Sequence, residues 1–248
     1  MLYVTASGGK RKMTKGNSEK YSVVLRVRNE ERWIGYAIQS VVDHIGEECE
    51  IIIVNNGTTD DSIRIVNLFE YLNVIKVDIP SSDYTPGKAL NLGVKQASRE
   101  RTLIMSAHCQ ITSFDKKLVD SKFEDISIAC IFGKQTPYYL GKEITPRYMW
   151  SHFDDTPRVN YYSEMEDRYF LHNAFTLYRT SVVKKFSFDE KQSGKEDRYW
   201  AQNLLKQNVS IVRKDGENIE EKYRFLYEPK LKCSHHYTSD GNTWKGIG

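Results

Sequence analysis

The sequence predicts an α/β protein with a mostly parallel, Rossmann-like sheet flanked by helices, followed by a smaller mixed region. Between residues 21 and 112, strand-length apolar runs alternate with helical patterns, as in parallel sheets with right-handed crossovers. Polar residues follow the end of each run, and in such sheets the carboxyl ends of the strands border the ligand crevice. We therefore expect a nucleotide-binding type of layout in the first half of the chain.

Four strands and three helices account for that first half. The predicted strands are Tyr21–Val27, Glu50–Val54, Asn73–Val77 and the run from Leu103 to Met105. Apolar residues recur at helical spacing from Trp33 to Ile45, from Ile63 to Phe69 and from Ala89 to Ala97. After its first residue, Glu50–Val54 is entirely apolar, which is typical of a central parallel strand.

The second half has a looser pattern. The strand-like runs there are Ser127–Phe132, Ala174–Tyr178, Val209–Val212 and Tyr223–Tyr227, and a helix is predicted from Glu196 to about Gln207. The stretch from Gly133 to Leu171 carries three prolines and many tyrosines without clean periodicity. It predicts long loops, which in compact domains are often functional.

Length and charge indicate one domain with a basic lead-in. We expect residues 1–20 to be a flexible tail and residues 21–248 a single domain with two halves, 21–112 and 113–248. The tail holds five basic residues and one acid, which leaves 31 basic and 32 acidic residues in the rest of the chain. The body therefore lacks the basic excess of a nucleic-acid-binding domain, and no nucleic-acid partner is expected.

Cysteine usage and hydropathy predict a cytoplasmic protein. The four cysteines are scattered without a Cys-x-x-Cys pair, so neither a disulfide scaffold nor a structural zinc site is expected. No apolar run reaches the length that spans a bilayer. The basic tail permits at most peripheral contact with the cytosolic face of a membrane.

Several familiar motifs are absent. The chain has no Gly-x-Gly-x-x-Gly after its first strand, no Walker loop and no Gly-x-Ser-x-Gly elbow, which argues against dinucleotide, P-loop and hydrolase sites. Polar clusters at strand and helix ends remain as site candidates. They are Arg26/Arg28/Asn29/Glu30, Asn55/Asn56, Lys88/Asn91, Ser106/Ala107/His108, Glu196/Asp197 and His235/His236.

Three of these segments resemble family 2 glycosyltransferases of the GT-A fold. They are Val23–Ile34, Ile53–Asp60 and Gly87–Gly93, and the likeness continues through Ser106–His108, Phe170–Ala174 and Glu196–Ala201 to the terminal histidines. The resemblance implies transfer of a sugar from a nucleotide-sugar donor to a hydroxyl acceptor, usually with inversion. The acceptor implied is a glycan or glycolipid used in surface polysaccharide synthesis.

The resemblance also implies that residues 21–112 form the nucleotide-sugar-binding half and residues 113–248 the acceptor-binding and catalytic half. Arg26 to Glu30 and the Asn55/Asn56 pair are expected to hold the nucleoside, with Lys88 and Asn91 nearby. Family members commonly have at least one Asp where the two asparagines stand. An Asp only accepts, which suits the N3–H of uracil, whereas an Asn also donates, which suits cytosine. The donor is therefore left open between a UDP-sugar and a CMP-sugar.

Ser106–Ala107–His108 occupies the place of the Asp-x-Asp motif, which binds a divalent metal in this family. A related group uses Asp-x-His with a downstream histidine, so His108 with His235 or His236 is a candidate metal site. Imidazole ligands favour manganese over magnesium. The alternative is metal-independent, with Arg26, Arg28, Lys88 and His108 stabilising the leaving phosphate.

The Glu196–Asp197 pair carries the predicted chemistry. Attack by a sugar hydroxyl needs a general base, and the family likeness places that base on Asp197, with Glu196 beside it. His172, Asn173 and Trp200 are candidate acceptor contacts. The opposing hypothesis is a catalytically impaired relative that binds a nucleotide or glycan without transferring it, motivated by the missing acid at Ser106.

Overall fold

The computed structural model describes residues 18–212 and 216–238. The predicted tail lies outside these residues except for Ser18–Lys20, which form a 3-10 turn. The helices are α1 (Ile34–His44), α2 (Ser62–Asn67), α3 (Pro86–Gln96), α4 (Lys116–Phe123), α5 (Thr180–Lys185) and α6 (Glu196–Leu204). The strands are β1 (Tyr21–Val27), β2 (Glu50–Asn55), β3 (Asn73–Asp78), β4 (Arg101–Ser106), β5 (Cys109–Ser113), β6 (Ile128–Tyr139), β7 (Lys142–Glu143), β8 (Arg158–Val159), β9 (Tyr162–Ser163), β10 (Arg168–Tyr169), β11 (Phe175–Arg179), β12 (Asn208–Val212), β13 (Asn218–Lys222) and β14 (Arg224–His236).

One large sheet organises the described residues. Its path runs β3-β2-β1-β4-β11-β6-β14-β5, with β7 on β6 and β8 on β14. Strands β3, β2, β1 and β4 are parallel to one another, as the alternating pattern predicts. Strand β11 then enters antiparallel to both β4 and β6, whereas β14 runs parallel to β6. The predicted α/β class is confirmed.

The central strands are buried on both faces because each face carries a separate apolar core. Val23 and Leu25 pack in the core that contains α1, while Val24 packs in the core that contains α3. Successive side chains of a strand point to opposite faces. A strand that is buried on both faces of the sheet therefore needs an uninterrupted apolar run. The register Leu25 to Ile53 on one side and Leu25 to Met105 on the other aligns the strand ends.

Gly93 lets α3 lie directly on this sheet. A Cβ at this position would be 2.5 Å from Val24 Cγ1 and 2.9 Å from Val54 Cγ2. Thr85 caps the helix by accepting from the Lys88 N–H at 3.1 Å, and Pro86 follows at the first helical position. Proline is tolerated there because that N–H has no partner inside the helix.

The region predicted as long loops is partly a strand. β6 continues through Gly133 and Pro137 to Tyr139 and pairs with β14 over most of its length. Gly133 is required there because a Cβ would meet the Phe175 ring and the Leu231 carbonyl at 2.6 Å. Within residues 18–212 and 216–238, no helix combines the length and the apolarity needed to cross a bilayer.

Candidate active site

A crevice of about 1150 Å³ opens at the carboxyl ends of β1 and β4 and the N-terminus of α6. The structure brings together most of the residues predicted for the site. The predicted residues that line the crevice are Arg26, Arg28, Asn29, Glu30, Asn56, Ser106, Ala107, His108, His172, Asn173, Glu196 and Asp197. The parallel strand ends and the start of α6 therefore share one cavity, as the resemblance implies.

Three residues predicted to contact the donor lie outside the crevice lining. Asn55 bonds the Asp78 carboxylate at 2.7 Å and the Thr58 N–H at 3.1 Å, so it stabilises the turn after β2. Asn91 exchanges two hydrogen bonds of 2.9 Å with the backbone of Phe188. Lys88 points to solvent from α3. Asn55, Lys88 and Asn91 are therefore not among the residues that line the crevice, and their contacts with a donor stay a prediction.

Trp200 is a core residue. It is 4% exposed, donates its indole N–H to the Phe186 carbonyl at 2.5 Å, and meets Tyr178 edge-on at 5.0 Å. On α6 it shares the inward face with Ala201 and Leu204, because residues three or four apart lie on the same side of a helix. The predicted acceptor contact at Trp200 is therefore corrected.

Arg26 supplies a buried cation to the donor side. Its Nη1 lies 3.6 Å from Glu196 Oε1, and its side chain is 23% exposed. Burial lowers the pKa of Arg26, but Tyr84, Glu196 and Asp197 more than offset that effect, so its pKa is raised. The guanidinium remains charged and is held by a carboxylate from the opposite half of the chain.

Three buried polar atoms of the crevice have no hydrogen-bond partner among the described residues. They are Asn56 Oδ1, Glu30 Oε2 and Asn173 Nδ2. Buried polar atoms are normally satisfied, and leaving one unpaired is costly. Two acceptors near the ends of β1 and β2 and one donor before β11 are therefore available to a bound molecule.

Hydrogen bonds fix the proton positions behind the crevice. The Ala174 N–H points at His172 Nδ1 (3.3 Å), so that nitrogen accepts and also receives a bond from Gln135 Nε2 (3.0 Å). The Gln135 carbonyl oxygen then accepts the Nδ1 proton of His235 at 3.0 Å. Burial lowers the pKa of His172 to about 3, so this ring is neutral.

His108 continues this chain on the other side. The Glu30 carboxylate can only accept, so it receives the Nδ1 proton of His108 at 2.8 Å. The Nε2 atoms of His108 and His235 are 3.1 Å apart. When both Nδ1 atoms donate to oxygen, the two Nε2 atoms face each other as acceptors, an arrangement that a proton or a metal ion placed between them stabilises.

His236 does not join that pair. Its ring stacks on Trp33 with centroids 4.2 Å apart, and its Nε2 lies 3.0 Å from Ser234 Oγ. Burial lowers its pKa to about 4. Within the described parts of the chain, no group of three or more His, Cys, Asp or Glu side chains is placed to hold a metal. The predicted metal role of His236 is corrected.

Glu196 and Asp197 begin α6 with different surroundings. Asp197 accepts from the Asn173 N–H and the Arg198 N–H, each at 2.9 Å, and pairs with Arg198 Nη1 at 3.1 Å. Burial raises the pKa of Asp197, but Arg198 brings it below its usual range. Burial, followed by the neighbouring Asp197 charge, raises the pKa of Glu196. Asp197 is therefore the more acidic carboxyl group of the pair, and Glu196 is the more basic.

The sequence of this chain matches the family model for Glycosyl transferase family 2 over residues 22–187. The chain belongs to glycosyl transferase family 2. The match includes the donor-side residues and the Ser-Ala-His segment, and it ends before the Glu196–Asp197 pair. His235, which contacts His108 in the crevice wall, also lies beyond the matched residues.

Similar proteins agree with this membership. The minor teichoic acid biosynthesis protein GgaA of Bacillus subtilis is 26% identical over 197 residues, which are 75% of this chain and 43% of that protein. The S. aureus TarS 1–349 structure with UDP has a TM-score of 0.64 at 19% identity, covering 88% of this chain and 61% of that one. The Pyrobaculum calidifontis mannosyltransferase PcManGT, solved with GDP-Man and Mn²⁺, has a TM-score of 0.62 at 13% identity, with coverage of 94% and 62%. The chain spans less than two thirds of these proteins.

Some residues of the glycosyltransferase crevice escaped sequence-based prediction. Tyr84, Trp150 and Glu166 line it, and Gln135 fixes the tautomer of His235. Gln135 lies inside a strand, and Glu166 lies in a loop rich in other polar residues. Neither position has a spacing or composition that distinguishes it, so only the folded chain identifies them.

Proposed function

We propose that this chain transfers a sugar from a nucleotide-sugar donor to a hydroxyl group of a glycan or glycolipid, with inversion and with Asp197 as general base. The observation that carries the proposal is one crevice that joins the acids of α6 to the cations Arg26 and His108. Likeness to a teichoic acid biosynthesis protein supports a surface polymer as the product.

In the proposed reaction, the acceptor oxygen attacks the anomeric carbon from the side opposite the leaving phosphate. Asp197 takes the acceptor proton, the new C–O bond forms, and the bond from the anomeric carbon to the phosphate oxygen breaks. The nucleotide leaves with the bonding electron pair. A single displacement of this kind inverts the configuration at the anomeric carbon. Arg26 stabilises the developing phosphate charge from a fixed position, where such a group is most effective.

The cation between His108 and His235 completes the phosphate side. The two Nε2 lone pairs fit a metal ion, and imidazole nitrogens suit manganese; when bound, such an ion supplies positive charge to the donor phosphates. With a proton instead, the His108 imidazolium contributes that charge directly. Comparable folds have been solved with Mn²⁺ and a nucleotide sugar, which supports the metal-bound form of the proposal.

Asn56 and Glu30 support a base that offers N–H groups to acceptors. Asn56 Oδ1 is buried at the crevice without a partner, as is Glu30 Oε2. Uracil presents N3–H to such an oxygen, whereas cytosine presents a bare N3 to the amide nitrogen of the same side chain. We propose a UDP-sugar as the donor, in line with the UDP-bound neighbour, and a CMP-sugar is the competing outcome.

The acceptor is proposed to enter beside His172 and Asn173. Asn173 Nδ2 is a buried donor without a described partner, and the Asn173 N–H holds Asp197. Tyr148, which is 63% exposed, borders the same crevice. Sugars present flat C–H faces to aromatic rings, so Tyr148 suits a sugar or polyol acceptor.

Calorimetry with transfer assays tests this function. UDP, CMP, GDP and dTDP are titrated with manganese and then with a chelator, and each matching nucleotide sugar is incubated with and without a polyol-phosphate acceptor. We expect UDP to bind and its sugar to be hydrolysed slowly without acceptor. Metal-dependent binding of UDP assigns the His108–His235 gap to a metal, whereas equal binding in chelator assigns it to a proton. Absence of binding by any nucleotide contradicts the proposal.

The non-catalytic alternative rests on Ser106, which replaces an acid at the donor phosphates. An impaired relative binds UDP and leaves the UDP-sugar intact over long incubation. Hydrolysis of the donor by the wild-type chain, lost in Asp197→Asn, decides for the enzyme.

We propose a cytoplasmic location, with at most peripheral contact at the cytosolic face of a membrane. All four cysteines are buried free thiols, the state that a reducing compartment maintains. Cell fractionation checks this: the protein is expected in the soluble fraction, or released from membranes by high salt. Retention after a salt wash contradicts the proposal.

A further inference from the structure

Arg198 lies buried between two carboxylates, one on its own helix and one from a distant hairpin. Its Nη1 contacts Asp197 Oδ2 at 3.1 Å and the Leu171 carbonyl at 2.9 Å. On its other edge, Nε and Nη2 contact Glu166 Oε2 and Oε1 at 3.3 and 3.2 Å. The side chain is 8% exposed, and its guanidinium lies 4.6 Å above the Phe170 ring.

Hydrogen bonds to its backbone and to its carboxylate hold Glu166 in position. It lies in the turn between β9 and β10, where its backbone N–H donates to Ser163 Oγ at 3.0 Å. Ser163 Oγ in turn contacts His152 Nε2 at 2.5 Å. The carboxylate is 16% exposed and borders the crevice. A two-point contact with Arg198 is the geometry in which an arginine fixes a carboxylate most strongly.

These contacts restrict the orientation of the Asp197 carboxylate. A carboxylate offers about four acceptor positions, and most of them are used by the Asn173 N–H, the Arg198 N–H and Arg198 Nη1, which contacts both oxygens at 3.1 and 3.2 Å. An acceptor hydroxyl therefore has few directions of approach. Arg198 therefore fixes the direction from which the proton is taken.

We propose that Arg198 and Glu166 are positioning residues for the general base: Arg198 orients the Asp197 carboxylate, and Glu166 offsets the Arg198 charge so that Asp197 stays basic. The inference rests on the proposed function, because it assigns these two residues a role in holding the proposed general base. It goes beyond that function in naming what tunes the base.

The charges of Arg198 and Glu166 have opposite effects on the pKa of Asp197. Ionisable groups face Asp197 from every neighbouring element: Glu196 and Arg198 on α6, Arg26 on β1, His172 before β11, Tyr178 on β11 and Glu166 in the hairpin turn. Loss of the Glu166 charge leaves Arg198 uncompensated, so the pKa of Asp197 falls. Loss of both charges removes the cation, so the pKa of Asp197 rises relative to that single variant.

Two variants and one control test the proposal. Glu166→Gln removes one charge and keeps the shape. The double variant Arg198→Met/Glu166→Gln removes the pair together, which avoids a buried charge without a partner. Asp167→Asn is the control: Asp167 lies next to Glu166, its carboxylate accepts from Tyr162 Oη at 2.5 Å, and it does not border the crevice.

The readouts are the pH profile of UDP-sugar turnover, the UDP affinity, and a carbon-13 NMR titration of labelled aspartate carboxyls. The Asp197 signal is assigned by its absence in Asp197→Asn. For Glu166→Gln we expect the acidic limb and the NMR titration to move to lower pH, with UDP affinity unchanged. For the double variant we expect both to move to higher pH and turnover to fall about a hundredfold, the scale of a misplaced reacting group. Asp167→Asn stays at wild type.

Each result bears on one proposal. Titrations that move in the same direction for both variants, or do not move, overturn the positioning role. A wild-type chain without nucleotide binding or turnover contradicts the proposed function instead, and the NMR titration still decides whether Arg198 and Glu166 control Asp197. Unchanged thermal unfolding of the Glu166→Gln variant separates its effect from misfolding.

Discussion

The Nε2 atoms of His108 and His235 face each other at 3.1 Å while both rings donate their Nδ1 protons to oxygen. Two neutral rings with those tautomers repel at this contact. A cation bound at this contact would relieve the repulsion, and it would lie where the donor phosphates are proposed to bind.

His108→Gln is expected to weaken UDP binding by about ten- to a hundredfold, the scale of losing a hydrogen bond to a charged group. Calorimetry with UDP measures it. His44→Gln is the matched control, because His44 lies at the end of α1 and does not border the crevice. Equal affinities of the two variants contradict a phosphate role for His108.

Asp197→Asn is expected to keep UDP affinity and to lower sugar transfer by about 10²- to 10⁴-fold, the usual contribution of a general base. Initial rates with saturating donor measure the loss. Asp43→Asn, at an exposed position of α1, is expected to transfer at the wild-type rate. Near-normal turnover in Asp197→Asn removes Asp197 as the base.

Asn56→Asp is expected to retain UDP binding and to weaken CMP binding. The carboxylate accepts from the N3–H of uracil but has no hydrogen to donate to the N3 of cytosine. Parallel titrations of UDP and CMP into both proteins give the ratio of affinities. A ratio that does not change shows that Asn56 does not contact the base.

Stability is expected to fall as the pH drops below about 6.5, because His172 has a pKa of about 3 in the folded state against 6.5 for an ordinary histidine. Below that pH the unfolded chain binds a proton at His172, whereas the folded chain does not. That difference lowers the free energy of unfolding by about 1.4 kcal/mol per pH unit for each such histidine. Urea unfolding between pH 7 and pH 5 measures the slope, which His172→Gln should reduce; an identical slope contradicts the assignment.

Gly93→Ala is expected to destabilise the fold by about 1–3 kcal/mol, the range for overpacking, since its Cβ would press on Val24 and Val54. The higher helix propensity of alanine offsets about 1 kcal/mol of the strain. Gly194→Ala is the comparison, because a Cβ there meets nothing within 4 Å. In a double-mutant cycle, Gly93→Ala is expected to cost less in a Val24→Ala background than in the wild type, because the contact with Val24 is relieved.

The first half of the fold was predictable because its strands are buried on both faces. In β2, four consecutive apolar residues from Ile51 to Val54 are fully buried, and such a run has few alternatives once helical patterns flank it. The strands of the second half were less predictable from the sequence. Pro137 and Gly133 mark loops in most sequences, yet here both lie in β6, because the close approach of Phe175 and Leu231 requires a glycine.

Site residues were predictable where they follow strand ends and unpredictable where tertiary contacts decide. Arg26 and His108 line the crevice as expected, but Asn55 and Asn56 differ only in direction: one side chain turns to Asp78 and the other enters the crevice. Strand alternation separates such neighbours, and the sequence does not say which of them faces the ligand. Trp200 failed for a similar reason, since its place on the inner face of α6 depends on where the helix begins.

The order of strands joins the two halves of this chain through two strand pairings. Strand β11, from the second half, pairs directly with β4, and β5, from the first half, is reached only across β6 and β14. A hybrid of two relatives joined near residue 112 would have to form both of these strand pairings between strands of different proteins. Exchange of donor and acceptor specificity between relatives is therefore expected to proceed by changes at individual crevice positions, not by swapping halves.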